Sequence, residues 1–406
     1  MERNNLLTFI ISLLFSLIVL EVGLRNFTPF PISRVSNKVD HEKLGHVMNA
    51  NMNEIDENGF RNNILPSVDI VALGDSHTYG FNVSSDNSWP KLLGRKLNKN
   101  VYNFGMGAYG ILHYHYLLSK AIGLNPEVIL LGLYLPNDLN DICVLVSSNK
   151  YWASRAKEFN IDSSLCPEIK PYSAPRAVAN GKRKTSIRKW LKENLATISI
   201  VSEYYYRFST RKKLEDAGTT KPLVINDRKL NAIKKIEKGG VTNALVINDG
   251  KIKTMIDFER IMLNKEGMDM NRPHIQMAYE VMKEFFLESK KNTELNNIRF
   301  GVLFIPSKER VYYKYLKQMG HYVPEEYEEL VENEDELKGK ASLFLENTGI
   351  AFIDVLPDME NALLKYGDLY PAWDDGHAIK IGYKIFAENA FNLYQQIISF
   401  TASTEN

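Results

Sequence analysis

Short apolar runs, each closed by a turn and followed by a stretch of helical spacing, do most to restrict what this chain can become. VDIVAL (68–73), NVYNF (100–104) and EVILLGLY (127–134) read as strands, and SWPKLLGRKLN (88–98) and ILHYHYLLSKAIGL (111–124) between them read as helices. This alternation is that of an α/β domain with a parallel sheet. It returns late in the chain, with QMAYEVMKEFFLESKK (276–291) as a helix, IRFGVLFIP (298–306) and GIAFIDVL (349–356) as strands, and YKIFAENAFNLYQQII (383–398) as a closing helix. The domain is therefore split into halves at 65–142 and 276–400, around an insertion at 143–275.

The insertion does not continue the alternation. It holds a basic helix candidate, TSIRKWLKENLATISIVSEYYYRF (185–208), and two near-copies of one phrase, LVINDRK (223–229) and LVINDGK (245–251), which read as two strands paired with each other. Two copies are too few for a solenoid. Lys182, Arg183, Lys184, Arg188 and Lys189 read as a solvated charged face.

Ahead of the domain, Leu6 to Leu20 carries no charge and the apolar character runs on to Leu24. That is about nineteen residues, or roughly 28 Å of helix, close to the thickness of a bilayer core. The segment lacks a small-x-small cleavage site, so residues 1–27 are expected to be an uncleaved anchor in the cytoplasmic membrane rather than a removed signal peptide. Residues 28–64 form a polar lead ending in Glu57-Asn-Gly-Phe-Arg61, which reads as a stalk that docks onto the domain. Fifty basic against forty-nine acidic residues argue against a nucleic-acid partner. Cys143 and Cys166 match no metal-binding spacing; they could pair if the body is exported, or be two unrelated thiols.

In Val71-Ala-Leu-Gly-Asp-Ser-His-Thr-Tyr-Gly80, Ser76 sits at a strand-to-helix turn on the carboxyl edge of the sheet, where open α/β sheets bind ligands. The same residues would also serve as a helix N-cap. A serine nucleophile needs a base, and the base an orienting acid. Trp373-Asp-Asp-Gly-His377 supplies both types: His377 lies just before the last helix, beside Asp374 and Asp375. Donors for an oxyanion are at hand in Asn137, directly after the third strand, and in the backbone of NFGMGAYG (103–110) after the second.

Rival readings are weaker. Gly105-x-Gly107-x-x-Gly110 fits a dinucleotide fingerprint, but the acid expected about twenty residues on falls at Glu127, which opens its strand instead of closing it. No cofactor is expected. A helix would point His113 and His115 apart, and no thiol or carboxylate lies at a suitable spacing, so no metal is expected either. His77 is not expected to be the base, because adjacent residues at such a turn diverge.

Taken in order, GDSHTYG, NFGMGAYG, LPND and WDDGHAIKIGY resemble the four blocks of the SGNH (GDSL-type) hydrolase superfamily, over about 65–142 and 276–400. The resemblance implies a three-layer flavodoxin-like α/β fold with a parallel central sheet, here interrupted by a mixed helical and β insertion and preceded by a transmembrane helix. It implies Ser76 as nucleophile and His377 as base. The oxyanion donors would be the Ser76 N–H, a backbone N–H at Gly107 or Ala108, and the Asn137 side chain. Two departures stand out. The usual glycine of the second block falls on Ala108, with Gly107 just before it; and the usual acid, three residues before the histidine, selects Asp374, whereas an Asp-x-His form in some membrane-associated relatives selects Asp375. Both remain candidates, Asp374 first.

ENGFRNN (57–63), LFIPSKERVYYKYL (303–316) and the anchor are similar to membrane-anchored bacterial members, including alginate-acetylation-like O-acyltransferases. That implies a body outside the cytoplasmic membrane, acting on an acylated glycan of the envelope or a secreted one. A serine esterase removing a small acyl group is expected. An O-acetyltransferase and a catalytically silent glycan-binding protein are the alternatives.

Overall fold

The computed structural model describes residues 12, 15–20, 38–50, 52, 54–168 and 244–402. Strands β1 (Lys38–His41) and β2 (Gly45–Met48) make a small antiparallel hairpin in the lead. Next come β3 (Ile70–Gly74), β4 (Val101–Asn103) and β5 (Val128–Leu133), then β6 (Ala244–Asn248) and β7 (Lys253–Asp257) in the insertion, and finally β8 (Arg299–Phe304) and β9 (Ala351–Asp354). Five of them form one parallel sheet in the order β4-β3-β5-β8-β9. Counted along the sheet's own strands this is 2-1-3-4-5, the doubly wound flavodoxin-like order.

Every residue of β3 and β5 is buried, as a strand covered on both faces requires. One face carries the helices Ile111–Gly123 and Pro273–Glu294, and the other carries Trp89–Leu97 and Lys380–Ala402. The five strands expected from the sequence are present, with ends displaced by one or two residues. The helices Phe258–Met268, Lys308–Gln318, Glu325–Thr348 and Leu356–Tyr366 were not read from it.

The second LVIND phrase is half of a hairpin with the adjacent β7. Asp249 closes the turn, its Oδ1 accepting the Lys251 and Ile252 N–H groups. The first copy, the 185–208 helix candidate and the basic cluster at 182–189 lie outside the described residues, as does nearly all of the anchor at 1–27. Among the described residues no helix is long and apolar enough to cross a membrane.

Cys143 and Cys166 form a disulfide across twenty-three positions. Replacing both by Ala should lower unfolding stability by about 3 kcal/mol, the loop-closure value for that length. Denaturant melts of the two proteins without reductant would measure it; coincident curves would show that the crosslink contributes nothing.

Candidate active site

The turn that carries Ser76 is fixed by close packing at the sheet edge. Asp75 caps the short helix Ser76–Tyr79, its Oδ1 accepting the His77 N–H at 2.8 Å. The helix sits against glycines on the neighbouring strands. A Cβ on Gly74, whose φ is +153°, would lie 2.1 Å from Thr78 Oγ1, and one on Gly132 would lie 2.5 Å from the same atom. Only glycine lets the turn approach the strands this closely.

The lead holds the same turn from outside. Arg61 is buried and donates through Nη1 to Gly80 O (3.0 Å) and through Nη2 to Val83 O (3.1 Å), with Glu54 as its counter-ion at 2.9 Å. It thereby satisfies carbonyls at the end of the nucleophile helix. Asn62 brackets the Asn103 backbone, accepting its N–H (2.8 Å) and donating to its carbonyl (3.2 Å). The Asn103 side chain in turn donates to Thr78 O (3.0 Å) and accepts the Gly105 N–H (2.7 Å). The Ser76 turn and the glycine block are thus tied together through one residue of the lead. Arg61→Ala leaves the Gly80 and Val83 carbonyls short of a donor and Glu54 without its cation, and should cost about 3 kcal/mol of stability. Urea unfolding tests this, and a loss below about 1 kcal/mol, the range of an ordinary surface change, would contradict it.

Ser76 Oγ lies 2.7 Å from His377 Nε2, and His377 Nδ1 lies 2.6 Å from Asp375 Oδ1. A carboxylate can only accept, so the imidazole proton sits on Nδ1 and the Nε2 lone pair faces the serine hydroxyl. Asp375 also accepts the His377 backbone N–H at 2.9 Å. Asn82 donates to both Asp375 Oδ2 (3.1 Å) and His377 O (3.0 Å), which fixes the acid and the loop together. Of the two aspartates open in the sequence, Asp375 is the one placed on the imidazole. Asp374, preferred there, is instead held by Arg260 Nε (3.0 Å) and Nη2 (2.9 Å) and by the Asp257 N–H (3.2 Å).

The His377 ring is walled on two sides, by Phe81 at 4.9 Å and by His77 at 4.8 Å. His77 stacks on Tyr134 at 4.1 Å and is fully buried. Burial, reinforced by the charge of His377, holds its pKa well below the ordinary imidazole range, so His77 stays neutral and acts as a flat wall. Burial likewise pushes the Asp75 carboxyl up, against the donors His77 N–H, Asn137 and Ser76.

The glycine block runs alongside the serine: a Cβ on Gly107 would lie 3.8 Å from Ser76 Cβ. His46 Nε2, from β2, holds the Gly107 carbonyl at 3.0 Å, and Tyr109 OH holds the His46 carbonyl at 2.6 Å. A trans peptide points its N–H opposite to its carbonyl, so His46 also sets the direction of the Ala108 N–H. Ala108 occupies the left-handed region at φ +65°, where a glycine would be expected. Among the described residues, the N–H groups of Ser76, Gly107 and Ala108 donate to no protein acceptor. Asn137 lies in the helix Leu135–Asp138 after β5, with its amide on Asp75 and its Oδ1 buried without a partner. Of the two histidines weighed as metal ligands, His113 stacks on Tyr109 at 4.3 Å, and His115 meets Glu288 at 2.7 Å.

Asn82 and Arg260 went unread in the sequence, and Arg61, Asn62 and Asn103 were quoted within motifs without the roles they have here. The ENGFR phrase pointed to docking without saying what was docked, and NFGMGAYG pointed to its backbone rather than to the Asn103 side chain. No family model matches the chain, and no curated protein matches it. Among solved structures, a protein described as lipolytic and of the G-D-S-L family, from Desulfitobacterium hafniense DCB-2, is similar over 80% of this chain and 99% of its own, at 12% identity and a TM-score of 0.36. A likeness that low says nothing about the chemistry of this chain, which rests on the geometry of its own residues.

Proposed function

We propose that this protein is an SGNH-type serine esterase that removes a small acyl group, acetyl foremost, from an envelope or secreted glycan. The reading is carried by the continuous contact from Ser76 through His377 to Asp375, at 2.7 and 2.6 Å. His377 Nε2 takes the Oγ proton as Ser76 attacks the ester carbonyl, and Asp375 stabilises the imidazolium that forms. The oxyanion is met by the N–H groups of Ser76 and of Gly107 or Ala108, and by the Asn137 amide once it turns from Asp75. The intermediate collapses with cleavage of the bond from carbonyl carbon to sugar oxygen; that oxygen takes the proton from His377 and departs as the hydroxyl, leaving acyl-Ser76. A water deprotonated by His377 then releases the acid and restores the serine. A sugar hydroxyl in place of that water makes the same site an O-acetyltransferase.

We place the body outside the cytoplasmic membrane, anchored by its N-terminal segment. The uncharged run Leu6–Leu20 supports this, as does the Cys143–Cys166 disulfide, a bond that persists in oxidising compartments.

The test is the full-length protein in detergent with an activated acetyl ester, with and without a glycan acceptor, following acetate, acetylated sugar and the acetyl adduct on Ser76. Acetate release without acceptor supports the esterase. Transfer to sugar in preference to water converts the reading to an acyltransferase. If no adduct forms and Ser76→Ala matches the wild type in every readout, the protein is a binding module.

A further inference from the structure

Two adjacent aspartates precede His377, and only one orients it. We infer that Arg260, a residue of the insertion, decides which: it sequesters Asp374 and leaves Asp375 as the sole acid for the imidazole. Arg260 is then a positioning residue, and the insertion completes the catalytic loop. The inference rests on the esterase reading of the same site.

Arg260 stands in the first turn of the helix Phe258–Met268, which follows β7 directly. Its Nε and Nη2 meet the two carboxylate oxygens of Asp374 in the bidentate fork that suits guanidinium best, and Nη2 also reaches Asp374 O at 3.3 Å. Burial works against its charge, yet Asp374 and Glu309 together outweigh burial and raise the guanidinium above its ordinary value. The backbone is shaped to admit it, since a Cβ on Gly376 would lie 2.6 Å from Arg260 Nη1.

The rest of the insertion grips the same loop. The buried Lys308 links the insertion to the loop, its Nζ donating to Met255 O (3.0 Å), Pro371 O (3.4 Å) and Trp373 O (3.2 Å). The Lys253 N–H meets both oxygens of Asp368 at 3.0 and 3.1 Å. Without Arg260, Asp374 would be a half-buried carboxylate without its cation, three residues from an imidazole that becomes positive in every turnover. Opposite charges attract most strongly where water is scarce, so Asp374 would compete with Asp375 for His377.

The experiment compares wild type, Arg260→Met and Arg260→Met/Asp374→Asn as full-length proteins. For Arg260→Met, kcat should fall about 10- to 100-fold with KM within about twofold, the signature of a misplaced catalytic group rather than lost binding. The low-field proton resonance of His377 Nδ1–H should broaden or split as two carboxylates exchange. In the double variant the competing charge is gone, so the single resonance should return and kcat recover by about tenfold or more. A merely structural ion pair predicts the opposite, a double variant no better than Arg260→Met, and that result overturns the inference. So does an Arg260→Met protein with wild-type kcat and resonance. Should Arg260→Met not fold, the double variant decides alone, since an inactive double with a disturbed resonance contradicts the inference. Asp375→Asn separates the two levels. If it is harmless, the esterase reading falls; if it is crippling while Arg260→Met is silent, only the role of Arg260 falls.

Discussion

Ser76→Ala is expected to lower kcat/KM on an activated ester by about 10⁴- to 10⁶-fold, His377→Ala by a similar factor, and the pair together by no more than either alone. The reason is geometric. Ser76 Oγ and His377 Nε2 share one hydrogen bond of 2.7 Å, so the hydroxyl has no base without the imidazole and the imidazole no nucleophile without the hydroxyl. Groups that act as a unit lose their effect once, and what survives is the rate supplied by binding and by the oxyanion donors. The fold should barely notice. Ser76 keeps 8% of its surface exposed, and removing one hydroxyl there should change stability by about 1 kcal/mol or less. Steady-state kinetics of the two single variants and the double, with thermal melts as control, test this. Multiplying losses in the double would mean that the two residues work separately, and the hydrogen bond between them would not be the catalytic one.

The second large effect separates two neighbours of identical chemistry. Asp375→Asn should cost about 10³- to 10⁴-fold in kcat, because an amide can turn its NH₂ toward Nδ1 and push the imidazole proton to Nε2, where it blocks the serine. The site offers little room to relax, since Asp375 is buried and already engaged by His377 Nδ1, the His377 N–H and Asn82. Asp374→Asn leaves those contacts in place. It removes the counter-charge of Arg260 and should cost about 1–3 kcal/mol of stability, with a much smaller loss of kcat. Measured side by side, the order of the two kcat losses is decisive: a larger loss at Asp374 would overturn the assignment of Asp375.

The ordering of these aspartates also shows where the sequence stops being readable. The five sheet strands are short apolar runs with turns after them, a pattern written locally; Ser76, Gly107 and Asn137 follow strand ends and His377 lies in the loop before the last helix, so each could be named as a candidate. Asp374 and Asp375 differ in no local property. What distinguishes them is a guanidinium 114 positions away, and no spacing rule reaches that far. The helix Glu325–Thr348 was missed for a different reason: its apolar stripe of Tyr327, Leu330, Val331, Leu337, Ala341 and Leu345 is threaded through a strongly acidic stretch that reads as solvated. The second LVIND phrase pairs with the adjacent stretch Lys253–Asp257, which the sequence did not mark as a strand, and the first copy lies outside the described residues.

The contact between Ser76 and His377 joins residues 301 positions apart, and this sets a clock on the protein's own synthesis. At about 5–20 residues per second, the imidazole leaves the ribosome on the order of tens of seconds after the hydroxyl it serves. On the proposed function, the growing chain carries through that interval a serine with no base, and so no capacity to attack an ester. The proposed site is complete only once the loop that carries His377 has emerged.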